Sequence, residues 1–258
     1  MSLIYKGVLV LSQKKRIAVQ TQLWGNANLD QDFVPIYDQA MEAGYDGVES
    51  RFTVMKQKEK LRKYLDEKPL RIFALHTSPE TFYNQGIKAE FGELLQDMKQ
   101  FDIGHLLFSP AKRESMKEQR EWLHIIEQMG ERCAEQGIQL SYHNHAWEFE
   151  RYGYELFDAI AEHEHIGIAL DIGWLYRSGY DLNKTVERYQ RQIKYLHIKD
   201  TTKENWRELG TGDVGIGEAV KLLDTLGLDL WTIEQDTSEL PPLTSARISR
   251  DYLSKLEA

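Results

Sequence analysis

Short apolar segments rich in β-branched residues alternate along this chain with longer segments in which apolar residues recur at helical spacing. The first pattern is typical of buried strands, and the second predicts amphipathic helices that cover them. We predict eight strands, at residues 17–22, 46–49, 71–76, 105–108, 138–143, 166–171, 194–198 and 230–234. Helices are expected near residues 30–43, 56–66, 83–101, 114–136, 152–163, 184–191, 215–227 and 243–256. Eight such repeats favour a closed parallel barrel of the α/β class.

No linker or low-complexity segment interrupts the alternation, so residues 17–258 are interpreted as one (β/α)8 TIM-barrel domain. Residues 1–16 are assigned as an N-terminal extension ahead of the first strand. Gly44, Gly137 and Gly227 follow predicted helices and are expected to be C-caps. A doubly wound open sheet normally carries a glycine-rich phosphate turn after its first strand, and here that position reads QTQLWGNANLD. The barrel is therefore favoured over the open sheet.

Composition limits the partners. The net charge of −9 disfavours binding to nucleic acid or to an anionic membrane surface. No segment approaches the roughly 18 consecutive apolar residues of a membrane span. Cys133 is the single cysteine and cannot form an internal disulfide, which indicates a reducing compartment such as the cytoplasm.

Polar side chains end each of the last four predicted strands. They are His143, Asn144, His145 and Glu148, then Asp171, then His197, Lys199 and Asp200, then Glu234, Gln235 and Asp236. Taken singly, Asp171 would be a helix N-cap and His197 a core histidine. The four strand ends of a barrel meet at one mouth, however, where several carboxylates would repel one another unless a cation lay among them. The pattern predicts one divalent metal ion, and carboxylate and imidazole donors suit manganese, magnesium, cobalt or zinc.

The segments YHNHAWEF, LDIGW, YLHIKD, ELGTGDVGIG and IEQD resemble the xylose-isomerase-like superfamily, within it the sugar phosphate isomerase/epimerase group. The resemblance covers nearly all of the chain from Ile17. It implies a barrel with one metal ion held by acidic and histidine residues of the last four strands. By position, it implies that Asp171, His197 and Glu234 are ligands.

The ligand from the fifth strand is less clear from the motif. Many relatives place a glutamate at the strand end, where this chain has His143. We assign Glu148 as the fourth ligand and keep His143 and His145 as alternatives. Trp174 stands where many epimerases of the family carry a substrate-binding histidine, which argues against a true ketose 3-epimerase.

The chemistry implied is isomerisation or epimerisation of a sugar or sugar phosphate, by proton abstraction through an enediolate that the metal stabilises. Glu148 and Glu234 are expected to act as ligand and base, and His145 as acid or base. Lys199 is expected to neutralise an oxyanion or bind a phosphate. The expected substrate contacts are Trp24, Glu49, His76 and His143.

Three other functions are weighed against this one. A lyase or dehydratase of a keto-sugar or keto-inositol would use the same enediolate to expel a β-hydroxyl. A non-catalytic barrel would bind the sugar without converting it. An apurinic endonuclease shares the barrel but needs more metal ligands and a basic face for DNA. The partner expected is a small sugar derivative, and exposed barrel helices are compatible with a homo-oligomer.

Overall fold

The computed structural model describes residues 14–257, and eight parallel strands close into a barrel. The barrel strands are β1 (Arg16–Gln20), β2 (Gly47–Arg51), β3 (Arg71–Thr77), β4 (His105–Phe108), β5 (Gln139–His143), β6 (Gly167–Asp171), β7 (Ile193–Ile198) and β10 (Leu230–Ile233). The barrel closes where β1 pairs in parallel with β10, with Val19 opposite Ile233. The predicted (β/α)8 class is confirmed. The proposed extension lies outside the described residues except for residues 14–16, and Arg16 already begins β1.

Helices surround the barrel and fill the connections between strands. The α-helices are α1 (Asn26–Gln31), α2 (Val34–Glu42), α3 (Lys58–Glu67), α4 (Ala89–Gln100), α5 (Met116–Glu135), α6 (Ala146–Tyr152), α7 (Tyr154–Ala161), α8 (Ile172–Arg177), α9 (Leu182–Tyr189), α10 (Ile216–Asp224) and α11 (Pro242–Glu257). Short 3-10 helices follow the first three strands at Thr21–Trp24, Phe52–Gln57 and Pro79–Phe82. In the part of the chain that the structure describes, no helix combines the length and apolar character needed to cross a bilayer.

Several local features differ from the sequence predictions. The candidate helix at 152–163 corresponds to α7, and α6 before it was not predicted; Gly153, with a φ of 57°, separates the two. Helix α8 was not predicted, because its six residues are too few to show a helical period. An antiparallel pair, β8 (Asp200–Thr201) and β9 (Trp206–Arg207), was also not predicted. The glycines proposed as C-caps have positive φ, at 88° for Gly44, 73° for Gly137 and 70° for Gly227, as such caps require.

The alternation of side chains along the strands positions the functional residues. Outward side chains pack against the helices in the main core. A smaller apolar cluster on the barrel strands consists of Ala18, Phe73, Ala74, Leu107, Ala169, Tyr195 and Leu230. Because side chains on one face of a strand recur every two residues, Asp171 follows Ala169 and His197 follows Tyr195 on the same face. The interior of the barrel therefore changes from apolar to polar at the carboxyl ends of the strands.

Close packing between β2 and β3 gives a stability test. A Cβ atom on Gly47 would lie 2.4 Å from the carbonyl oxygen of Arg71 and 2.5 Å from the Phe73 ring. We expect Gly47→Ala to lower the free energy of unfolding by about 1–3 kcal/mol, because the barrel backbone must shift. Gly92 in α4 is the matched control, since among the described residues nothing lies within 4 Å of its would-be Cβ. Gly92→Ala should raise the free energy of unfolding by about 0.5–1 kcal/mol. Urea denaturation measures both variants, and changes of the same sign would contradict this expectation.

Candidate metal centre

Each barrel strand contributes one polar side chain to a layer at the carboxyl end of the barrel, which we call the polar ring. Its members are Gln20, Glu49, His76, Ser109, His143, Asp171, His197 and Glu234. Ser109 and Glu234 directly follow β4 and β10, and the other six belong to their strands. The contact between His197 of β7 and Glu49 of β2 crosses the barrel, which shows that both side chains point inward.

The last four strands bring one donor atom each to a common point. These atoms are His143 Nε2, Asp171 Oδ2, His197 Nδ1 and Glu234 Oε2, all within 4.8 Å of one another, and we call them the donor cluster. His143 Nε2 lies 3.6 Å from Asp171 Oδ2 and 3.5 Å from Glu234 Oε2, and His197 Nδ1 lies 2.5 Å from Glu234 Oε2. All four atoms are buried, and none completes a hydrogen bond within the described part of the chain. His197 contacts Glu234 within the cluster, and Asp171 Oδ2 also lies 3.5 Å from Lys199 Nζ. Two imidazoles and two carboxylates that converge in this way are a donor set that fits a divalent cation.

Asp171 holds its position through three other contacts. Its Oδ1 accepts a hydrogen bond from the Trp174 backbone N–H at 2.8 Å and so caps the N-terminus of α8. Asn144 accepts from the Asp171 backbone N–H at 2.9 Å and donates to the Asp171 carbonyl at 3.2 Å. These contacts leave Oδ2 free to face the donor cluster. Both sequence interpretations of Asp171, cap and ligand, are therefore compatible with one side chain.

Glu148 lies apart from the donor cluster, which differs from our assignment of it as a ligand. Its Oε2 accepts from the His145 backbone N–H at 2.8 Å, and its Oε1 accepts from the Tyr142 hydroxyl at 3.4 Å. Glu148 is fully buried at the third position of α6, where it closes a capping box. His143, the alternative from the same strand, lies in the cluster instead.

Glu49 lies behind the donor cluster and does not line the cavity above it, although we predicted a substrate contact. Its side chain is fully buried, and its Oε2 is 2.6 Å from His197 Nε2. Burial alone would raise the pKa of Glu49, but the neighbouring His197 and His76 lower that pKa below its ordinary value. A metal-binding imidazole commonly donates its other N–H to such a carboxylate. Glu49 therefore has the position of a group that orients His197.

Lys199 is fully buried beside the donor cluster rather than in the cavity wall. Its Nζ lies 2.6 Å from Asp236 Oδ2, 3.1 Å from Glu234 Oε1 and 3.5 Å from Asp171 Oδ2. Burial lowers the pKa of Lys199, but these three carboxylates outweigh it and raise that pKa above its ordinary value. The ammonium group therefore stays charged and offsets part of the negative charge of the cluster.

A cavity of about 350 Å³ opens over the polar ring. His143 and Glu234 form part of its floor, and His76, His145 and Asp236 part of its walls. The rest of the lining is also polar, with amides from Gln20, Gln22 and Asn26, the Arg51 guanidinium and the hydroxyls of Thr21, Ser50, Thr77, Ser78 and Ser109. A larger groove of about 640 Å³ between α9 and α10 contains none of the polar ring and is not the candidate site. The cavity over the polar ring therefore has polar walls and contains potential metal ligands at its base.

Trp24 and His145 were both expected at the mouth, but only His145 lines the cavity. Trp24 is 7% exposed and donates its indole N–H to Gln39 Oε1 at 2.7 Å, so it packs at the rim. His145 is half-buried, and its Nδ1 lies 3.6 Å from Glu148 Oε1. An imidazole backed by a buried carboxylate is suited to proton transfer.

Three residues of the site received no role from the sequence. Ser109 and Gln20 belong to the polar ring, and Asp236 lines the cavity while it pairs with Lys199. Their positions in the sequence could have identified two of them, since Ser109 directly follows a predicted strand and Gln20 lies near the end of another.

Comparison with known proteins places this chain among related barrels. The sequence matches the model of the xylose isomerase-like TIM barrel family over residues 37–256. An inosose dehydratase of Lacticaseibacillus casei is 23% identical over 267 residues, which cover 86% of this chain and 88% of that protein. A solved sugar phosphate isomerase/epimerase from Parabacteroides distasonis has a TM-score of 0.78 at 20% identity and covers 100% of this chain and 99% of its own. The IolI protein, solved with a bound zinc atom, has a TM-score of 0.73 at 14% identity over 94% of this chain and 98% of its own.

Proposed function

Because this chain belongs to the xylose isomerase-like TIM barrel family, we propose that it is a metal-dependent isomerase or epimerase of a small sugar or sugar phosphate. The observation that carries the proposal is the donor cluster, in which four buried atoms from four strands converge without completing hydrogen bonds among the described residues. The cavity above it, about 350 Å³, lies at the small end of ligand pockets and suits a substrate of monosaccharide size. Its amide and imidazole walls match the hydroxyl groups of such a substrate.

The donor cluster would hold one divalent ion, either manganese, magnesium, cobalt or zinc. When bound, the ion would supply Lewis-acid chemistry, polarising a substrate carbonyl and stabilising negative charge on its oxygen. Two imidazoles and two carboxylates from the protein leave room for substrate oxygens in the coordination sphere. The bound zinc atom in the IolI structure supports the choice of a divalent metal for this fold.

His145 is the proposed proton-transfer group. Its ring lines the cavity close to His143, with ring centroids 4.9 Å apart, so it lies next to the donor cluster. Glu148, held in place by the α6 capping box, lies beside the imidazole, with its Oε1 3.6 Å from His145 Nδ1. His145 would take a proton from the carbon beside the carbonyl and, in an isomerisation, return it to the neighbouring carbon on the same face of the enediolate. Epimerisation needs a second group on the opposite face, a role proposed for Glu234, which also lines the cavity.

A lyase or dehydratase acting on a keto-sugar or keto-inositol is the second candidate. The L. casei relative is named inosose dehydratase. Trp174 packs against Trp206, with ring centroids 4.5 Å apart, where many epimerases of the family carry a histidine. Removal of the same proton leads to dehydration when a hydroxyl on the adjacent carbon leaves. His145 or Asp236, both in the cavity wall, could protonate the leaving hydroxyl.

Incubation with keto-sugars and inososes in deuterium oxide separates the candidates. An isomerase or epimerase would incorporate solvent deuterium into its substrate only when a divalent ion is supplied, whereas a dehydratase would release water and form an unsaturated product. If neither reaction occurred although the sugar still bound, the enzymatic proposal would be contradicted and a non-catalytic binding barrel favoured.

The change His145→Asn separates proton transfer from metal binding. Asparagine also caps helices well, so α6 should remain intact. We expect turnover to fall by about 10²–10⁴-fold, as for loss of a general acid or base, with metal affinity unchanged. Paired measurements of deuterium exchange and metal content check this. Loss of the metal in His145→Asn would instead indicate that His145 is a ligand.

A further inference from the structure

We propose that His76 and Ser109, acting together with Glu49, are positioning residues that hold both imidazole ligands in the ring orientation and tautomer that a metal ion requires. This inference rests on the proposed metal centre and assigns a role to three of the four residues of the polar ring that contribute no ligand. The ligands come from the last four barrel strands, and the proposed supports come from β2, β3 and the end of β4.

One unbroken chain of hydrogen bonds joins the two imidazole ligands behind the donor cluster. Ser109 Oγ lies 3.1 Å from His143 Nδ1 and 2.7 Å from His76 Nε2. His76 Nδ1 lies 2.8 Å from Glu49 Oε1, and Glu49 Oε2 lies 2.6 Å from His197 Nε2. Three side chains on three neighbouring strands therefore connect a ligand on β5 with a ligand on β7.

With a metal ion bound in the donor cluster, the position of every hydrogen in this chain would follow from its contacts. His143 offers Nε2 to the cluster, so its Nδ1–H donates to Ser109 Oγ. The Ser109 hydroxyl then donates to His76 Nε2, which leaves the His76 Nδ1–H to donate to Glu49 Oε1. At the other end His197 offers Nδ1 to the cluster, so its Nε2–H donates to Glu49 Oε2. Glu49 accepts at both ends, as only an ionised carboxylate can.

This arrangement changes the role of His76 from the predicted substrate contact. The His76 side chain is 16% exposed and borders the cavity, but both of its ring nitrogens already have partners within the chain. A substrate hydroxyl could bond to His76 only by breaking one of those hydrogen bonds. His76 therefore acts through His143 and Glu49 rather than on the substrate.

The direction of the chain depends on Glu49, which leads to an unusual expectation. In Glu49→Gln, the new amide N–H₂ faces His76 Nδ1 once the Gln20 amide, which donates to Glu49 Oε1 at 3.0 Å, turns to present its oxygen instead. The amide then donates to His76 Nδ1, which moves the ring hydrogen of His76 to Nε2. Ser109 would then accept from His76 and donate to His143 Nδ1, so that His143 carries its hydrogen on Nε2, the ligand atom. The substitution at Glu49 would thus change the tautomer of His143 through the Ser109 hydroxyl. In the double variant Glu49→Gln/Ser109→Ala the chain is cut and the reversal cannot be transmitted.

Cobalt(II) affinity, measured by chelator competition on the full chain, tests the proposal. We expect Ser109→Ala to weaken binding about tenfold and Glu49→Gln about 100-fold, the range for groups that support metal ligands. The double variant should bind cobalt no more weakly than Glu49→Gln alone, a coupling that a purely structural role would not produce. Ser141→Ala, on the same face of β5 one layer below His143, is the control and should not change affinity. The visible spectrum of bound cobalt should shift in Ser109→Ala and stay unchanged in Ser141→Ala.

Two results would overturn the proposal in different ways. The positioning chain alone would be overturned if wild-type protein and Ser109→Ala bound cobalt equally well. It would also be overturned if the losses of affinity in the two single variants simply added in the double variant. Wild-type protein that binds no cobalt would overturn the proposed metal centre and the chain with it. Circular dichroism on each variant excludes unfolding as the cause of weaker binding.

Discussion

Replacement of Glu234 by glutamine is expected to remove both the metal ion and turnover while the barrel stays folded. Glu234 Oε2 belongs to the donor cluster, and glutamine keeps its shape but offers only a neutral amide oxygen. Groups that merely support a ligand cost about 10–100-fold in metal affinity, so loss of a ligand should cost more than about 100-fold. The Lewis-acid contribution of several kcal/mol would be lost with the metal, which corresponds to about 10³-fold or more in turnover. Elemental analysis and the deuterium-exchange rate measure the two losses.

Glu208→Gln is the matched control for this prediction. Glu208 lies near the same strand end, where its Oε1 accepts from Gln235 at 3.1 Å and from Ser238 at 2.7 Å, but it is outside the donor cluster. This variant should keep its metal and its turnover. Full metal occupancy and activity in Glu234→Gln would remove Glu234 from the proposed centre.

Replacement of Lys199 by methionine should produce the largest loss of stability. The Lys199 ammonium is fully buried and lies within 3.5 Å of carboxylate oxygens of Asp171, Glu234 and Asp236. Removing one partner of a buried ion pair typically costs about 3–5 kcal/mol, because the opposite charges remain buried without it. We expect a loss of this size in the free energy of unfolding, measured by urea denaturation with metal removed. Added divalent metal should restore part of the stability, because it binds the folded protein and supplies positive charge.

Lys117→Met provides the comparison on the surface. Lys117 and Glu121 form an i,i+4 pair at 3.9 Å, and their side chains are 85% and 66% exposed. Exposed pairs of this kind contribute about 0–1 kcal/mol, so the change should be small. Equal effects of Lys117→Met and Lys199→Met would contradict the claim that buried charge neutralisation holds this end of the barrel together.

The barrel was predictable because its signal is local. Each strand is a short apolar run, and the observed bounds lie close to the predicted ones, as for β4 at His105–Phe108. The positions of Asp171, His197 and Glu234 at strand ends were enough to bring them together, since the carboxyl ends of all barrel strands meet at one mouth. The fold and three of the four cluster residues therefore followed from sequence pattern and resemblance.

The fourth cluster residue depended on where a helix begins. The family pattern suggested a carboxylate from this motif, and Glu148 was the nearest candidate in sequence. Helix α6 begins at Ala146, so Glu148 lies at its third position and its carboxylate turns back to the His145 backbone. His143, two residues after Ser141 on β5, continues the inward face. The period of two, applied strictly, would have favoured His143.

The supports of the donor cluster could not be derived from local pattern. Glu49 and His197 are 148 residues apart, and their contact depends on how the closed barrel aligns β2 with β7. Strand tilt and stagger fix which side chains meet across a barrel, and these are properties of the whole sheet. A strand-end glutamate such as Glu49 therefore looked like a substrate contact until its partner was known.

Anomalous diffraction from a crystal soaked in zinc tests the central claim most directly. The account predicts one strong peak with His143 Nε2, Asp171 Oδ2, His197 Nδ1 and Glu234 Oε2 at about 2.0–2.2 Å. Two results would contradict it: a metal peak bound by Glu148, or no peak, with the four side chains pointing away from one another.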